Sequence, residues 1–331
     1  MSKTHKRRRR KPAPHNLAHP YHWPQWLTLA AMWLMARLPQ RAALRLGDGL
    51  GWLAYYLFRE RRRVVERNLE LCLPEMEAAE RRALVRRNFR YLGRGVTETA
   101  LSWFGGPAVD RIPFQVEGLD NLERAQADGT PVILLSGHFM SVELAARLVG
   151  HQVHMGVIYK AMNRRPVLDR AMLRGRSRTL AAVLAREDIR GIVRTLRRGT
   201  PVWYAGDQDY GRRHSVFAPF FGVPAATITA LTRLTRMSGA RVVPLFFHAR
   251  TDGPGYRVVF ERALEGFPSG DEVEDATLMN QVLERAIRQH PEQYLWIHRR
   301  FKRQPDRATN LYHGIPNRRR ERRQRKRRRQ H

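Results

Sequence analysis

His138 and Glu143 stand five positions apart in the string SGHFMSVE, directly after the apolar run 131–135. That run is typical of a buried strand, which places His138 at the strand's end and Glu143 one turn into the following helix. An imidazole has a pKa near neutrality and can take a proton from a hydroxyl group when a carboxylate orients it. The spacing therefore predicts that Glu143 folds back onto the ring of His138, which acts as a general base. The alternative is that His138 only caps the turn or fills a pocket.

A second cluster consists of Arg174, Arg176 and Arg178 around Gly175, at the end of a predicted helix. Planar guanidinium groups match the geometry of phosphate and carboxylate oxygens in pairs. We therefore expect an anion site here, with Arg174 and Arg178 binding the substrate. A solvated helix end is the alternative.

A third cluster, Asp207, Asp209 and Tyr210, follows the predicted strand at 202–204. Open α/β sheets place their binding sites at the carboxyl ends of strands. Asp207 is expected to bind or orient a cationic partner such as Arg176, or to hold a polar group of the substrate, and Asp209 and Tyr210 are expected to bind the substrate. An Asx-type turn is the alternative, since Asp and Gly are common in such turns.

Other chemistries lack their sequence motifs. There is no H-E-x-x-H motif and no cysteine pair, so no metal is expected. There is also no P-loop and no dinucleotide-binding glycine pattern, and we expect no cofactor. Cys72 is the only cysteine, which excludes an intrachain disulfide and favours a reducing compartment.

The three clusters must be positioned by the strands and helices around them. Predicted strands and helices alternate along the chain, which predicts an α/β fold with a mixed, largely parallel central sheet flanked by helices. An aromatic loop, Phe217 to Phe221, is expected to line an apolar channel. Strands are predicted at 114–117, 132–135, 153–159, 202–204, 242–247 and 256–261. Helices are predicted near 41–58, 60–72, 77–102, 119–128, 141–150, 166–175, 187–198, 225–238 and 274–289.

The net charge of +31 over 331 residues is concentrated at the ends of the chain. Residues 1–11 and 318–331 hold 17 basic residues and a single acid, Glu321. Such segments lack apolar residues and repel themselves, which predicts disorder and an affinity for polyanions. Nucleic acid and an anionic membrane surface both fit this charge.

The apolar stretch from Trp26 to Ala36 is the only membrane candidate in the sequence. Its eleven residues are fewer than the roughly 20 that cross a bilayer as a helix. We interpret it as a retained anchor, while the next helix either packs on the main domain or enters the headgroup region. The predicted organisation is a basic tail at 1–22, a membrane-anchoring segment at 23–58, a catalytic domain at 59–312 and a basic tail at 313–331.

Several long strings in this chain resemble those of the late acyltransferases of lipid A biosynthesis, most closely the Kdo(2)-lipid IV(A) lauroyltransferase type. The resemblance runs from about Trp26 to Tyr312 and leaves out the basic tails. Ordered strings of this length are more specific than the histidine and carboxylate pair alone, which glycerolipid acyltransferases share. The strings lie at 67–76, 138–147, 175–178, 202–211 and 291–302.

The resemblance implies that His138 is the catalytic base, that Glu143 is its partner, and that Arg176 and Asp207 are catalytic or orient the substrate. It implies a glycerolipid-acyltransferase-like fold and transfer of an acyl chain from acyl carrier protein to a 3-hydroxyl of the lipid A precursor. Gln208 stands where the family commonly has histidine, so no role carries over to that side chain.

The implied partners account for the basic charge, because acyl carrier protein, the glycolipid acceptor and inner-membrane lipids are all anionic. The expected location is the inner membrane, with the active site facing the cytoplasm. Two other functions remain open. One is acylation of a glycerol phosphate. The other is binding of nucleic acid through the arginine-rich tails, which only their charge supports.

Overall fold

The computed structural model describes residues 16–252, 255–306 and 308–316. The basic tails predicted at 1–22 and 313–331 lie mostly outside this range, which leaves out residues 1–15 and 317–331. The described chain forms a seven-stranded sheet and a separate two-stranded hairpin. The strands are β1 Phe114–Glu117, β2 Val132–Ser136, β3 Gly156–Tyr159, β4 Ala182–Ala185, β5 Val202–Ala205, β6 Ser215–Phe220, β7 Val223–Ile228, β8 Arg241–Ala249 and β9 Tyr256–Phe260.

In the described part of the chain, four α-helices precede the sheet, and the other α-helices lie between its strands or follow them. Each helix buries one face against the sheet or against another helix, as amphipathic sequences require. The helices are α1 Trp23–Met35, α2 Gln40–Leu57, α3 Arg59–Cys72, α4 Ala78–Phe104, α5 Leu119–Gln126, α6 Val142–Val149, α7 Pro166–Arg176, α8 Ile189–Arg197, α9 Ala230–Ser238 and α10 Glu272–Gln289.

The large sheet is mixed but mostly parallel, which confirms the predicted fold class. Its strand order is β1-β9-β8-β2-β5-β3-β4. Strands β8, β2, β5, β3 and β4 run parallel to one another, whereas β9 is antiparallel to β8 and parallel to β1. The carboxyl ends of β2 and β5 therefore lie side by side in the middle of the sheet.

Strand β2 is buried on both faces, as the unbroken apolar run predicts. Ile133 and Leu135 face the core formed with α3, α4, α8, α9 and α10. Val132 and Leu134 face the opposite core, formed with α5 and α6. The segment that carries His138 therefore leaves from a strand held on both sides.

The hairpin of β6 and β7 corrects two predictions. Phe217 to Phe221 do not form a loop, because most of them belong to β6, and Phe220 and Phe221 are buried in the core. The helix predicted at 225–238 begins only at Ala230, since β7 takes its first residues. The prediction of a loop is therefore wrong, and the last two aromatic residues of the segment pack in the core.

Helices α1 and α2 both pack against α4. A Cβ atom on Gly93 of α4 would lie 2.0 Å from the backbone oxygen of Gly47 in α2, so the two backbones touch. Among the described residues, no helix is both long enough and apolar enough to span a bilayer. The membrane-anchoring role of 23–58 stays a prediction.

Candidate active site

His138 and Asp207 face each other because strand register places them there. Ser136, the last residue of β2, is paired with Ala205, the last residue of β5. Two further residues along each parallel strand lead to His138 and Asp207. The ring Nδ1 of His138 lies 2.5 Å from Oδ1 of Asp207, and the backbone N–H of His138 donates to Oδ2 at 2.9 Å.

The electrostatics of this pair define the state of the imidazole. Burial favours a neutral Asp207, but the neighbouring His138 and its hydrogen bonds lower the pKa of that carboxyl far below its ordinary value. A carboxylate at Nδ1 requires the ring proton to be on Nδ1. The lone pair is therefore on Nε2, which has no hydrogen-bond partner among the described residues.

The basicity of His138 follows from two opposing effects. Burial lowers the pKa of His138, but attraction to Asp207 and the hydrogen bond to it are together stronger and raise the pKa above its ordinary value. The side chain is 28% exposed, so its ring can be reached from outside. This geometry suits a general base that takes a proton at Nε2.

Tyr294 supplies a second donor to Asp207. Its hydroxyl donates to Oδ2 at 2.9 Å, so this oxygen accepts both from Tyr294 and from the backbone of His138. Tyr294 is positioned by an antiparallel bridge to Phe139. Next to this bridge, the N–H of Leu295 donates to the carbonyl of His138. Sequence reasoning gave Tyr294 no role, although it lies within a family-like string.

Two buried asparagines hold the Tyr294 segment in place. Asn88 of α4 donates to the carbonyl oxygens of Glu292 and Tyr294 at 2.9 and 2.7 Å. Asn68 of α3 donates to the carbonyl oxygens of Trp296 and His298 at 2.6 and 2.8 Å. Two of the family-like strings, 67–76 and 291–302, therefore bind each other directly.

Glu143 does not hydrogen-bond to His138, which corrects the predicted pairing. Its carboxylate accepts from the guanidinium of Arg176 through Nε and Nη2, and from the indole N–H of Trp103 at 3.0 Å. The predicted pairing of Asp207 with Arg176 is equally wrong. The structure exchanges the partners: Asp207 binds the imidazole and Glu143 binds the arginine.

Close helix packing sets this second pair. A Cβ atom on Gly175 would lie 2.9 Å from three atoms of Trp103, so the glycine allows the end of α7 to approach α4. Burial raises the pKa of Glu143, but Arg176 and the hydrogen bonds lower it by more, so the pKa of this carboxyl lies below its ordinary value.

Arg147 of α6 also donates to four carbonyl oxygens at the end of α4, which fixes α6 beside that helix.

The other predicted site residues are spread around this centre. Arg174 is exposed, and Arg178 donates to the carbonyl of Trp103 at 3.1 Å. The side chain of Asp209 is buried, where it pairs with Arg303 and accepts from the N–H of Gly211. Tyr210 is 42% exposed. Their roles in substrate binding stay predictions.

His298 lines a small cavity together with His138 and Asp207. The backbone N–H of Asp209 donates to Nε2 of His298 at 3.0 Å, so the proton of a neutral ring is on Nδ1. Burial lowers the pKa of His298 to about 4. This second histidine is neutral at physiological pH, and no sequence spacing pointed to it.

The described residues contain no group of three or more His, Cys, Asp or Glu side chains that could hold a metal ion. They do contain a histidine and carboxylate pair with an unpaired ring nitrogen, and an arginine that is held by a second carboxylate and whose charge acts on His138. Such an arrangement can remove a proton from a hydroxyl and stabilise nearby negative charge.

Comparison with known proteins identifies relatives over most of the chain. A family model described as bacterial lipid A biosynthesis acyltransferase matches residues 10–303. A lipid A biosynthesis palmitoleoyltransferase of Escherichia coli K12 is 41% identical over 295 residues, 89% of this chain and 96% of the relative. The lauroyltransferase of the same strain is 40% identical over 89% and 97%, and its myristoyltransferase is 31% identical over 89% and 93%.

Proposed function

The chain belongs to the bacterial lipid A biosynthesis acyltransferases, and we propose that it transfers a fatty acyl chain to a hydroxyl group of the lipid A precursor with His138 as general base. The observation that carries the assignment of the base is the pairing of His138 Nδ1 with Asp207, which leaves Nε2 free to accept a proton. Asp207 holds the ring and stabilises its protonated form.

The proposed donor is an acyl thioester of acyl carrier protein, and the proposed acceptor is a 3-hydroxyl of a primary acyl chain on Kdo(2)-lipid IV(A). Nε2 of His138 removes the hydroxyl proton as the oxygen attacks the thioester carbonyl. The tetrahedral intermediate then breaks its carbon–sulfur bond, and the proton passes from Nε2 to the leaving thiolate. The products are an ester and the free thiol, and no cofactor takes part.

Arg176 has the charge needed near a developing oxyanion, and Glu143 and Trp103 restrict its orientation. The backbone N–H of His138 is not available for this purpose because it already donates to Asp207. Exposed Arg174 and Arg178 are proposed to bind the anionic groups of the acceptor.

The proposed location is the cytoplasmic face of the inner membrane. Helix α1 buries only Gln25, Leu29 and Met32, while Trp23, Leu27 and other large apolar residues of this helix are exposed. Exposed aromatic residues of this kind suit the interface of a bilayer better than water. A site that uses a cytoplasmic thioester must also face the cytoplasm.

The test is an in vitro assay of the full chain and of His138→Ala and His138→Gln with acyl carrier protein thioesters and Kdo(2)-lipid IV(A). Both variants should lose acyl transfer while keeping the circular dichroism of the folded protein. Transfer at the wild-type rate by either variant would refute His138 as base. Glycerol 3-phosphate as the alternative acceptor distinguishes lipid A acylation from phospholipid synthesis.

A further inference from the structure

An open groove of about 840 Å³ lies between α2 and α4, away from the residues assigned to catalysis. We call it the α2–α4 groove and define it by Trp52, Tyr55 and Tyr56 of α2 and by Arg86, Arg87 and Arg90 of α4. The helices are in backbone contact nearby, where a Cβ atom on Gly51 would lie 2.2 Å from the backbone oxygen of Phe89. The groove is therefore built on a rigid helix pair.

One wall of the groove is aromatic and unusually exposed. Trp52 is 62% exposed and Tyr56 is 54% exposed, and their rings meet edge to face with centroids 5.1 Å apart. Leu53 and Leu57 continue the same exposed face of α2. A contiguous apolar face of this kind on a folded protein marks a binding surface.

The other wall carries positive charge that the described residues neutralise only in part. Arg94 donates two hydrogen bonds to Asp48, of 2.6 and 2.9 Å, and Arg90 donates a third to the same carboxylate at 3.2 Å. Asp48 is therefore shared, and Arg94 holds most of its charge. Arg86 and Arg87 are exposed and have no ion-pair or hydrogen-bond partner among the described residues. Among the described residues that line the groove, three guanidinium groups thus share a single acid, Asp48.

We propose that the α2–α4 groove binds an anionic phospholipid, with the phosphate between Arg86, Arg87 and Arg90 and an acyl chain along Trp52 and Tyr56. Guanidinium forks match phosphate oxygens, and the aromatic rings suit the boundary between headgroup and chain. A bilayer also covers Leu53 and Leu57, which an acidic protein bound at the arginines alone would leave in water. The binding is separate from acyl transfer and does not depend on its mechanism.

The experiment measures binding of a monomeric short-chain lipid, because the basic tails of the full chain bind anionic vesicles on their own. Dihexanoylphosphatidylglycerol below its micelle concentration is titrated into the detergent-free full chain by calorimetry, with dihexanoylphosphatidylcholine as the uncharged comparison. The wild-type protein should bind the anionic lipid at least tenfold more tightly.

The double variant Arg86→Gln with Arg87→Gln should lose about tenfold or more in affinity for the anionic lipid and little for the zwitterionic lipid. Trp52→Ser should weaken binding of both lipids, because it removes the apolar wall. The matched control is Arg190→Gln with Arg194→Gln on α8, which removes two exposed arginines with no partner among the described residues and lowers the net charge equally.

Equal losses in the groove variant and the α8 control would show general attraction to charge and overturn the proposal. Unchanged binding by the groove variant would also overturn it. If that variant then shows a raised KM for Kdo(2)-lipid IV(A) in detergent, the groove holds the acceptor and not a phospholipid. None of the binding measurements uses acyl transfer, so their failure is distinct from failure of His138 as base.

Discussion

Replacing Asp207 by asparagine should put the proton of His138 on the wrong ring nitrogen. Oδ2 of Asp207 accepts two hydrogen bonds, from the N–H of His138 and the hydroxyl of Tyr294, each 2.9 Å long. In Asp207→Asn the amide oxygen must take that place, because an NH₂ group would face two donors. The NH₂ group then faces Nδ1, which can only accept from it, and the ring proton moves to Nε2.

The effect on rate is large because the base loses its lone pair. The same exchange of carboxylate for amide behind a catalytic histidine in serine proteases costs about 10⁴-fold in kcat with the geometry intact. We expect a loss of about 10³- to 10⁴-fold in kcat for Asp207→Asn, or about 4 to 5.5 kcal/mol of transition-state stabilisation. Little of this loss should appear in KM, since Asp207 is buried and its carboxylate is occupied by His138 and Tyr294.

The pH dependence of activity provides a second readout with a definite sign. His138 must be neutral to accept a proton, so activity rises with pH through the pKa of His138. Asp207 is the reason that this pKa is raised, and burial alone would lower it. The acidic limb of kcat/KM should therefore move to lower pH in Asp207→Asn.

The assay measures transfer of a radiolabelled acyl chain to Kdo(2)-lipid IV(A) in detergent over a range of pH. Asp275→Asn is the matched control, because Asp275 is also buried but accepts from the N–H of Ser269, near the start of α10. A kcat for Asp207→Asn within tenfold of wild type would refute the argument. So would an acidic limb that moves in Glu143→Gln but not in Asp207→Asn.

Three further predictions test the surroundings of this pair. Tyr294→Phe should lower kcat about tenfold and lower the free energy of unfolding by about 1.5 to 3 kcal/mol, because it removes a donor to Asp207. The control Tyr256→Phe removes a hydroxyl bound to buried Glu98 and should lower stability without changing kcat. Steady-state kinetics and urea unfolding of both variants measure the two effects. Gly93→Ala should destabilise the protein by about 3 kcal/mol or more, because the new Cβ would collide with the α2 backbone. Gly49→Ala should stabilise it by about 0.5 to 1 kcal/mol, because a Cβ atom there would meet no other atom and alanine favours the helix. Scanning calorimetry of both variants measures the sign of each change. The pKa of Glu143 is lowered by folding, so its stabilisation is present at neutral pH and lost on acidification; urea titrations of Glu143→Gln should show a weaker loss of stability below about pH 4.5.

The central sheet could be predicted because its strands carry a local signal. Strands β2, β5 and β8 are buried runs of β-branched and large apolar residues, bounded by turn residues. Strand β4, Ala182–Ala185, has no such signal, since two of its four residues are alanine, and only pairing with β3 makes it a strand.

The hairpin of β6 and β7 was missed for a related reason. Residues 225–238 have a helical pattern, and only the pairing of residues 225–228 with residues 215–218 of β6 makes the first of them extended. The two residues between, Phe221 and Gly222, have φ values of 52° and 74°, as a two-residue turn with two left-handed positions requires. The Gly222 signal was present in the sequence, but the aromatic residue before it is rare at such a position.

The choice of partner for His138 could not be made from spacing. Glu143 is five residues away and Asp207 is 69 residues away, so a local pattern favours the wrong carboxylate. Strand order decides the matter: β5 is the immediate neighbour of β2 and runs parallel to it. Asp207, two positions past the end of β5, therefore lies opposite His138.

The five-residue spacing of His138 and Glu143 therefore serves two contacts that point in different directions. The chain leaves β2 at Ser136, presents His138 toward the end of β5, and enters α6 at Val142. One residue later, Glu143 is directed toward α4 and α7, where Trp103 and Arg176 bind it. A shorter or longer connection would move Glu143 around the helix by about 100° per residue and break the arginine contact. The spacing thus fixes Arg176 relative to His138, through a carboxylate that does not hydrogen-bond to the imidazole.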